Sequence, residues 1–558
     1  MKVYTTDKIR NIVLLGHSGS GKTSLAEAMA YLSGITSRMG KVSDGNTISD
    51  YGKEEQKRQI SISTSVIPVE WEDTKINLLD SPGFFDFAGE MEEAAGAADG
   101  AVIVVSGKAG VEVGTQKAWE LCDKYKLPRF VFVTDMDIDN ASFRQVVEDM
   151  TAKYGKKLAP FHLPIRENEK FVGYINVITE QAYRWKGKEV VECEMPEYSK
   201  ANLQICRDTL MEAVAETSEE FMERYFNGET FSEAEIRAAL RNNVMDGSIV
   251  PMSMGSNLLC QGIYTLLDDI VKYMPSPENR KIAGIDLKSN EVFEADYDFA
   301  KAKSAYIFKT IVDPYIGKYS LIKVCSGVFK SDDMIYNDEK EVEEKISKLY
   351  VLRGNKPIEV PELHAGDIGA IAKLTAARTG NTLSTKARII RYGKMELPKP
   401  CMAMRYKAKN KADIDKISQS LQKLTHEDRT LQVVNDAENK QTLLLGMGDI
   451  HLEVIVSRLL NEYKVDIELK DPKIAYRETI RKKSDVEYKY KKQSGGHGQY
   501  GHVKMRFEPS GNLEESYEFE QEVVGGAVPK NFFPAVEKGL QESVLSGPLA
   551  AYPVVGIK

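Results

Sequence analysis

The segment "GHSGSGKTS" at residues 16–24 constrains the fold of this chain more than any other feature. It has the spacing Gly-x-x-x-x-Gly-Lys-Thr, follows an apolar run at residues 12–15 and precedes the helical pattern "SLAEAMAYL". A glycine-rich turn between a strand and a helix surrounds phosphate groups with backbone N–H groups and the positive end of the helix. The alternative, a turn of this kind without a ligand, is disfavoured because motif and context agree.

Within this segment, Lys22 is predicted to reach the β- and γ-phosphates of a nucleotide and Thr23 to bind Mg²⁺. The residues predicted to contact the nucleotide are His17, Ser18, Gly19, Ser20, Gly21, Lys22, Thr23 and Ser24.

Three further apolar runs lie at residues 76–80, 101–106 and 130–134, with helical patterns between them. Continuous apolar strands are typical of a parallel sheet covered by helices on both faces. Such sheets bind ligands at the carboxyl ends of their strands. Asp80 and Thr134 end the first and third runs, so we expect both at the nucleotide site.

The bulk composition excludes several classes of protein. The chain of 558 residues has room for roughly four domains of ~150 residues. Its six cysteines are scattered without a Cys-x-x-Cys pair, which indicates reduced thiols in a cytoplasmic protein. No apolar run approaches the ~18 residues that span a bilayer, so no membrane partner is expected. The net charge of −8 argues against general polyanion binding, such as to DNA, but allows local basic patches.

The pattern changes along the chain predict a multidomain α/β, β-barrel and α+β architecture. Residues 1–279 form a P-loop nucleotide domain, in which the acidic stretch at about 158–250 is an insertion. Short alternating strands with Gly and Asp turns predict a β-barrel over residues 280–397. An amphipathic helix among strand runs predicts a small α+β sandwich over residues 399–476. Residues 477–558 are predicted to be a partial fourth α+β domain.

The fourth region begins with "RKKSDVEYKYKK", a basic stretch with interleaved tyrosines. Such a stretch can bind RNA through phosphate contacts and base stacking, or it can be the solvated face of a strand. The glycine-rich "SGGHGQYG" at residues 494–501 is predicted to be a mobile loop at a domain tip.

Several of these segments together resemble a known family. With the P-loop, "RQISISTS" (58–65), "DSPG" (80–83), "TDMD" (134–137) and "MGSN" (254–257) resemble the five guanine-nucleotide motifs of translational GTPases. The remainder is similar to elongation factor G, and "GHSGSGKTS" looks more like its paralogue branch than the housekeeping factor. The matching later segments are "FKTIVDPYIGKYSLIKVCSG" (308–327), "HAGDIGAIAKL" (364–374), "LQKLTHEDRTLQVVNDAENKQTLLLGMGDIHLEVIVSRL" (421–459), "AYRETI" (475–480) and "KKQSGGHGQYGHV" (491–503).

The resemblance implies roles for individual residues. Ser61 matches the switch I residue that binds Mg²⁺ together with Thr23, and Asp80 contacts the ligands of that ion. Gly83 offers its N–H to the γ-phosphate, so Lys22, Gly83 and the residue after it are the implied catalytic positions. Residues implied to form the base site are Thr134, Asp135, Asp137, Ser256 and Asn257.

The chain departs from the family pattern at four places. Phe84 replaces the histidine that orients the attacking water, and phenylalanine cannot form a hydrogen bond with water. Gly19 replaces a P-loop aspartate, and Gln59 replaces a switch I glycine. In "TDMD", Thr134 and Asp135 replace the asparagine and the lysine whose stem packs over the base. We therefore expect reduced hydrolysis and weaker guanine selection, although neutral drift in a working GTPase is the alternative.

The resemblance implies a monomeric, cytoplasmic, ribosome-associated GTPase of protein synthesis that uses GTP, GDP and Mg²⁺ and contacts rRNA and ribosomal proteins. Three alternatives remain open: a nucleotide-gated ribosome-binding module with little hydrolysis, a ribosomal protection factor against an antibiotic, and an adenine-specific or unspecific P-loop enzyme. In the family a fifth domain would follow the fourth. Its absence here, and the end of the fourth domain at Lys558, lead us to expect a C-terminally incomplete chain.

Overall fold

The computed structural model describes residues 2–186, 189–313, 317–493 and 495–558. The chain divides into two compact units, which are described separately below. The first unit comprises Met1–Ala403, Lys407–Val433 and Leu444–Glu468, and the second comprises Met404–Tyr406, Val434–Leu443 and Leu469–Lys558.

The first unit begins with an α/β region built on a seven-stranded sheet. Its elements up to the insertion are β1 (Ile9–Leu15), α1 (Lys22–Leu32), α2 (Lys53–Arg58), β2 (Ser65–Trp71), β3 (Thr74–Asp80), α3 (Ala88–Ala97), β4 (Gly100–Ser106), α4 (Val113–Lys124), β5 (Arg129–Thr134), α5 (Phe143–Tyr154) and β6 (Leu158–Pro160). The insertion and the return to the sheet comprise β7 (His162–Glu167), β8 (Lys170–Asn176), β9 (Gln181–Lys186), β10 (Glu189–Cys193), α6 (Lys200–Ala215), α7 (Glu219–Phe226), α8 (Glu233–Asp246), β11 (Val250–Met254) and α9 (Ile263–Tyr273).

The strand order of this sheet is β2-β3-β1-β4-β5-β11-β6. All neighbouring pairs are parallel except β2 and β3, which are antiparallel at one edge. Strands β1, β3, β4 and β5 are buried along their whole length, as continuous apolar runs require in a two-sided sheet. Strand β1 has β3 on one side and β4 on the other, so the strand order reverses its direction at β1. Sheets of this type bind ligands beyond the carboxyl end of the strands at such a reversal, and the turn after β1 lies there.

The chain that leaves the main sheet lies within the predicted range of about 158–250. Strand β6 at residues 158–160 pairs with β11 and belongs to the main sheet. The chain between β6 and β11 forms a separate four-stranded sheet of order β10-β9-β8-β7 and three helices. Sequence patterns did not indicate β6, because three residues are too few to show a period.

An all-β region follows the α/β region in the same unit. Its strands are β12 (Ala283–Asp286), β13 (Glu291–Glu294), β14 (Ser304–Asp313), β15 (Gly317–Ser326), β16 (Val328–Lys330), β17 (Met334–Asn337), β18 (Val342–Lys345), β19 (Leu349–Arg353), β20 (Lys356–Val360), β21 (Glu362–His364), β22 (Ile368–Ala372), β23 (Thr382–Ser384) and β24 (Ile390–Tyr392). Eight of them form one sheet of order β18-β17-β23-β14-β15-β22-β19-β20. Residues 314–316 of the predicted barrel segment 308–327 lie outside the described residues.

The next region has the predicted mixture of helices and strands. Its elements are β25 (Met402–Ala408), α10 (Ile414–Glu427), β26 (Gln432–Asp436), β27 (Gln441–Gly446), α11 (Asp449–Asn461) and β28 (Ile467–Lys470). The amphipathic helix α10 buries Ile417, Leu421 and Leu424 on one face.

The second unit contains a two-stranded hairpin, β29 (Ser484–Gln493) and β30 (Gly498–Phe507), and helix α12 (Phe533–Ser543). The prediction of a loop over residues 494–501 was too long, because β30 already begins at Gly498; Ser494 lies outside the described residues. Every residue of β29 is exposed, and the Lys489 ammonium lies 5.6 Å from the Tyr500 ring centre on the paired strand. The basic stretch is therefore an exposed strand, which is compatible with either of its two interpretations.

No helix among the described residues combines the length and the apolar composition needed to cross a bilayer.

The α/β and all-β regions of the first unit meet through buried polar side chains. The Lys323 ammonium on β15 pairs with the Asp99 carboxylate before β4, and both side chains are fully buried. Asn11 Nδ2 donates to the other Asp99 oxygen at 2.7 Å and to Gly366 O at 2.9 Å. Because the Lys323–Asp99 ion pair and the Asn11–Gly366 hydrogen bond both join the two regions, this network fixes the relation between them.

Replacing Asp99 by alanine is expected to lower the thermal unfolding midpoint strongly. The substitution leaves the Lys323 ammonium buried without its counter-charge, which typically costs about 3–5 kcal/mol. Scanning calorimetry measures the shift. Glu120→Ala, which breaks the exposed Lys117–Glu120 pair, is the matched control and should cost about 0–1 kcal/mol. A similar midpoint for the two variants would contradict the prediction.

Candidate nucleotide-binding site

The turn after β1 has the backbone shape of a phosphate-binding loop. Gly16, Gly19 and Gly21 have φ angles of 145°, 84° and 93°, a region that side chains rarely adopt. A Cβ atom at Gly16 would collide with Val104 O, and one at Gly21 would lie 2.9 Å from Asn257 Nδ2. A Cβ at Gly19 would have no atom of the described residues within 4 Å, so only the backbone conformation there favours glycine over the family's aspartate.

Lys22 lies at the centre of this loop. Its ammonium donates hydrogen bonds to Gly16 O at 3.0 Å and His17 O at 2.8 Å, and the residue is only 4% exposed. Burial lowers the pKa of Lys22 to about 8, against the opposing effect of the Asp80 charge. Gly83 packs directly on this ammonium, and a Cβ at Gly83 would collide with Lys22 Nζ. The implied γ-phosphate donor and the P-loop lysine therefore share one small site.

Two hydroxyls and two carboxylates lie beside Lys22. Thr23 Oγ1 is 3.0 Å from Ser61 Oγ, so the P-loop and switch I meet at the two predicted Mg²⁺ ligands. Asp80 and Asp50 are buried, and among the described residues none of their carboxylate oxygens has a partner of ordinary hydrogen-bond geometry. Neighbouring hydroxyls, including Thr23 for Asp80 and Ser61 for Asp50, still lie close to them.

Burial affects the protonation of both carboxyl groups. Burial raises the pKa of Asp80, and burial followed by the charges of Asp80 and Glu55 raises the pKa of Asp50 to about 8. Two buried carboxyl groups beside two hydroxyls offer the oxygen ligands that Mg²⁺ prefers. The described part of the chain contains no group of three or more His, Cys, Asp or Glu side chains able to hold a metal. The residues present therefore fit a Mg²⁺ ion completed by phosphate oxygens rather than one held by protein alone.

Asp50 was not predicted from the sequence. It lies outside the "RQISISTS" motif, and its burial results from the folding of the chain around α2. Within the motif itself, residues 62 and 63 are held by Glu55, whose carboxylate accepts from Ile62 N at 3.0 Å and Ser63 N at 3.1 Å. Gln59, at the family's glycine position, has φ 55°, and its amide donates to Ser43 O at 3.2 Å.

The aromatic pair after Gly83 presents no polar group to the site. Phe84 is half-buried, and its ring has no hydrogen-bonding atom. The Phe85 ring lies edge-on to the His17 imidazole at 6.2 Å. His17 Nδ1 accepts from Gly114 N at 3.2 Å and its Nε2 lies 3.5 Å from Glu112 Oε1, so this imidazole is engaged by the start of α4.

Asp86, two residues after Phe84, is hydrogen-bonded to the start of α11. Its carboxylate accepts from His451 N at 2.9 Å, in the first turn of α11. A Cβ at Gly448, just before that helix, would clash with the same carboxylate. The Phe87 ring lies edge-on to the His451 ring at 6.0 Å. Asp86 therefore caps α11 and is not free to act on a water molecule at the phosphate.

The two base-site motifs are joined to the P-loop. Thr134 Oγ1 donates to Ser20 O at 2.8 Å, and Asn257 Nδ2 donates to Gly21 O at 3.0 Å. Both side chains are buried. Thr134 therefore supports the loop with its hydroxyl, although it cannot form the two hydrogen bonds of an amide.

The other base-site residues differ in their exposure and in their hydrogen bonds. Asp137 is exposed, and Asp135 is half-buried with φ 62°. The Asp135 carboxylate accepts from Ser106 Oγ at 2.6 Å. Ser256 Oγ accepts from Leu259 N at 3.1 Å and so shapes its own loop.

The remaining predicted contact residues lie along the same loop and helix. Ser18 and Ser24 are half-buried, and Ser20 is buried. A Cβ at Gly83 would lie 2.7 Å from Ser18 N, so this N–H faces the same space as Gly83.

The switch segments also reach the all-β region. Glu90 on α3 accepts from Thr64 N at 2.6 Å and pairs with the buried Lys309 ammonium on β14. Arg58 on α2 forms an ion pair with Glu453 on α11 at 3.1 Å. Movement of either switch would therefore change contacts with the regions that follow.

Comparison with known proteins covers nearly the whole chain. Family models match as elongation factor Tu GTP binding domain over residues 7–276, elongation factor G domain 2 over 302–386, elongation factor G domain III over 397–471 and elongation factor G domain IV over 472–558. The crystal structure of ttk003000868 from Thermus thermophilus is similar at 34% identity and a TM-score of 0.84, covering 99% of this chain and 80% of that one. The matched domains follow one another in the order of elongation factor G, and the similar structure covers nearly the whole chain. The chain therefore belongs to the elongation factor G family of translational GTPases.

Proposed function

We propose that this protein is a ribosome-associated GTPase of protein synthesis whose GTP- and Mg²⁺-dependent switch operates with reduced hydrolysis. The contact between Thr23 and Ser61 carries the proposal, because it joins the P-loop to switch I where a Mg²⁺ ion would need both hydroxyls. The family supports the class of activity and the translational setting.

Each group of the site has a defined task in nucleotide binding. Lys22 and the N–H groups of the glycine loop would hold the β- and γ-phosphates, and the N–H of Gly83 would face the γ-phosphate. Thr23 and Ser61 would bind Mg²⁺ directly, with Asp80 and Asp50 beside them. When bound, Mg²⁺ neutralises phosphate charge and fixes the orientation of the terminal phosphate.

Neither Phe84 nor Asp86 is placed to orient the attacking water by a hydrogen bond. Phe84 supplies an apolar wall where the family has a hydrogen-bonding imidazole. The Asp86 carboxylate is held by the first turn of α11. These two observations favour slow hydrolysis, and they also support a second candidate, a nucleotide-gated ribosome-binding module that switches by binding and exchange.

Nucleotide binding would be transmitted through the contacts of the switches. Ser61 would be held in place by Mg²⁺ only while the terminal phosphate is present, and its segment is continuous with α2 and with Thr64. Those residues contact α11 and the all-β region through Arg58 and Glu90. In the second unit, the exposed basic strand β29 is suited to contact with rRNA phosphates and bases.

Competition between nucleotides tests the proposal. We expect GTP and GDP to displace labelled GDP better than ATP does, because Asp137 can accept hydrogen bonds from the guanine edge, but by a smaller margin than in a family member that has the asparagine and the lysine. A good bidentate base contact is typically worth ~1–3 kcal/mol. Asp137→Ala should reduce the preference for GDP over IDP, which lacks the 2-amino group, without abolishing binding. Equal competition by ATP would contradict a guanine-specific switch.

A further inference from the structure

The "TDMD" motif offers no long side chain at the position that faces a bound base in the family. In the family pattern a lysine stem covers the flat face of the base, at the position that Asp135 occupies here. The Asp135 carboxylate is drawn instead towards the end of β4, where it accepts from Ser106 Oγ at 2.6 Å. A short acidic side chain held in this way cannot lie along the face of a base as the family's lysine stem does.

Ser106 also shapes the turn that follows β4. Its hydroxyl accepts from Lys108 N and Ala109 N at 3.3 Å each, while Gly110 N donates to Ser106 O at 2.8 Å. Gly107 N donates to Thr134 O at 2.9 Å, which joins this turn to the start of the base motif. One hydroxyl therefore links the Asp135 side chain to the backbone of Lys108.

Lys108 has the exposure and charge to complete the site. Its side chain is exposed, and no ion pair of its ammonium is formed among the residues that the structure describes. Burial and the charge of Asp137 raise the pKa of the Asp135 carboxyl, while Ser106, Thr134 and the Lys108 charge oppose the rise. Lys108 is thus an exposed cation whose backbone is joined through Ser106 to the residue that replaced the family's lysine.

We propose that Lys108 covers the face of the bound purine base, with its aliphatic stem against the ring and its ammonium beside the Asp135 carboxylate. The lysine is supplied from the turn after β4 instead of from the motif after β5. The inference rests on the proposed nucleotide binding and identifies a further residue of that site.

This geometry determines which property Lys108 controls. A long side chain can lie along an apolar surface while its charge remains in water. Contact with the face of a base is tolerant of base identity, because every base has a π-face. Lys108 therefore contributes affinity for purine nucleotides in general, whereas Asp137 contributes selection of guanine.

Equilibrium titration of the full chain with fluorescently labelled GDP and IDP tests the assignment. Lys108→Ala is expected to weaken binding of both nucleotides by the same factor, about four- to fifteenfold, which is the effect of one or two buried methylene groups of the stem. Lys108→Met keeps the stem without the charge and should bind more tightly than Lys108→Ala. Lys117→Ala, an exposed lysine on α4, is the matched control and should bind like the wild type.

The outcomes separate this inference from the proposed function. If the wild type binds GDP and Lys108→Ala binds it equally well, Lys108 does not cover the base. Lys108→Met binding no more tightly than Lys108→Ala would overturn the role of the stem, and a loss for GDP alone would overturn the contact with the ring face. Failure of the wild type to bind any guanine nucleotide would instead contradict the proposed function.

Discussion

Replacement of Lys22 by alanine is expected to abolish detectable binding of GTP and GDP. The ammonium is buried and bonded to the carbonyls of Gly16 and His17, and it is the cation nearest to where the motif places the β- and γ-phosphates. The variant would lose the two charge-assisted hydrogen bonds that Lys22 is predicted to donate to the phosphates. At about 1.5–3 kcal/mol each, their loss weakens nucleotide binding by roughly two to four orders of magnitude.

Isothermal titration calorimetry with each nucleotide measures this effect. Lys117→Ala serves again as the control for removal of a positive charge, because its partner Glu120 is exposed and remote from the loop glycines in sequence. A thermal unfolding midpoint near that of the wild type would show that the Lys22 variant is folded. Affinity like that of the wild type in this variant would remove the P-loop from the nucleotide site.

Local sequence patterns allowed the fold class and the order of the regions to be predicted. The glycine loop, the apolar strands and the amphipathic helix α10 each carry their signal within a few neighbouring residues, and the predicted fold class is confirmed. The domain boundaries remain a prediction. The residues of the insertion's sheet and the antiparallel edge strand β2 were not assigned, since their pairing depends on distant parts of the chain.

The contacts that shape the site could not be predicted in the same way. Asp86 reaches His451 across 365 positions of sequence, and Lys309 reaches Glu90 across 219. The charge of Asp135 was recognised as a departure, but its bond to Ser106 depends on the alignment of β4 with β5. Sequence motifs therefore predicted which groups a nucleotide would contact, and the fold determined which neighbouring groups are already engaged by other parts of the chain.

Replacement of Phe84 by histidine is expected to raise the rate of ribosome-stimulated GTP hydrolysis. Hydrolysis needs a water held in line with the γ-phosphate, and a positioned hydrogen-bonding group typically contributes ~10²–10⁴-fold. Phe84 directly follows Gly83, which packs on Lys22, so its side chain starts one residue from the phosphate site. Asp86 cannot substitute while α11 holds its carboxylate.

Single-turnover phosphate release with ribosomes compares the wild type, Phe84→His and Phe85→His. The neighbouring substitution is a matched control, because Phe85 is exposed and its ring faces His17, so an imidazole there should give no comparable gain. GTP affinity should remain close to the wild-type value in both variants, since neither residue offers a polar group to the phosphates. If the wild type already hydrolyses GTP as fast as a histidine-bearing elongation factor G assayed beside it, then Phe84 does not limit the reaction. The water would then be placed by another group or by the phosphate itself, because the chain's nearest carboxylate after Phe84 is committed to capping α11.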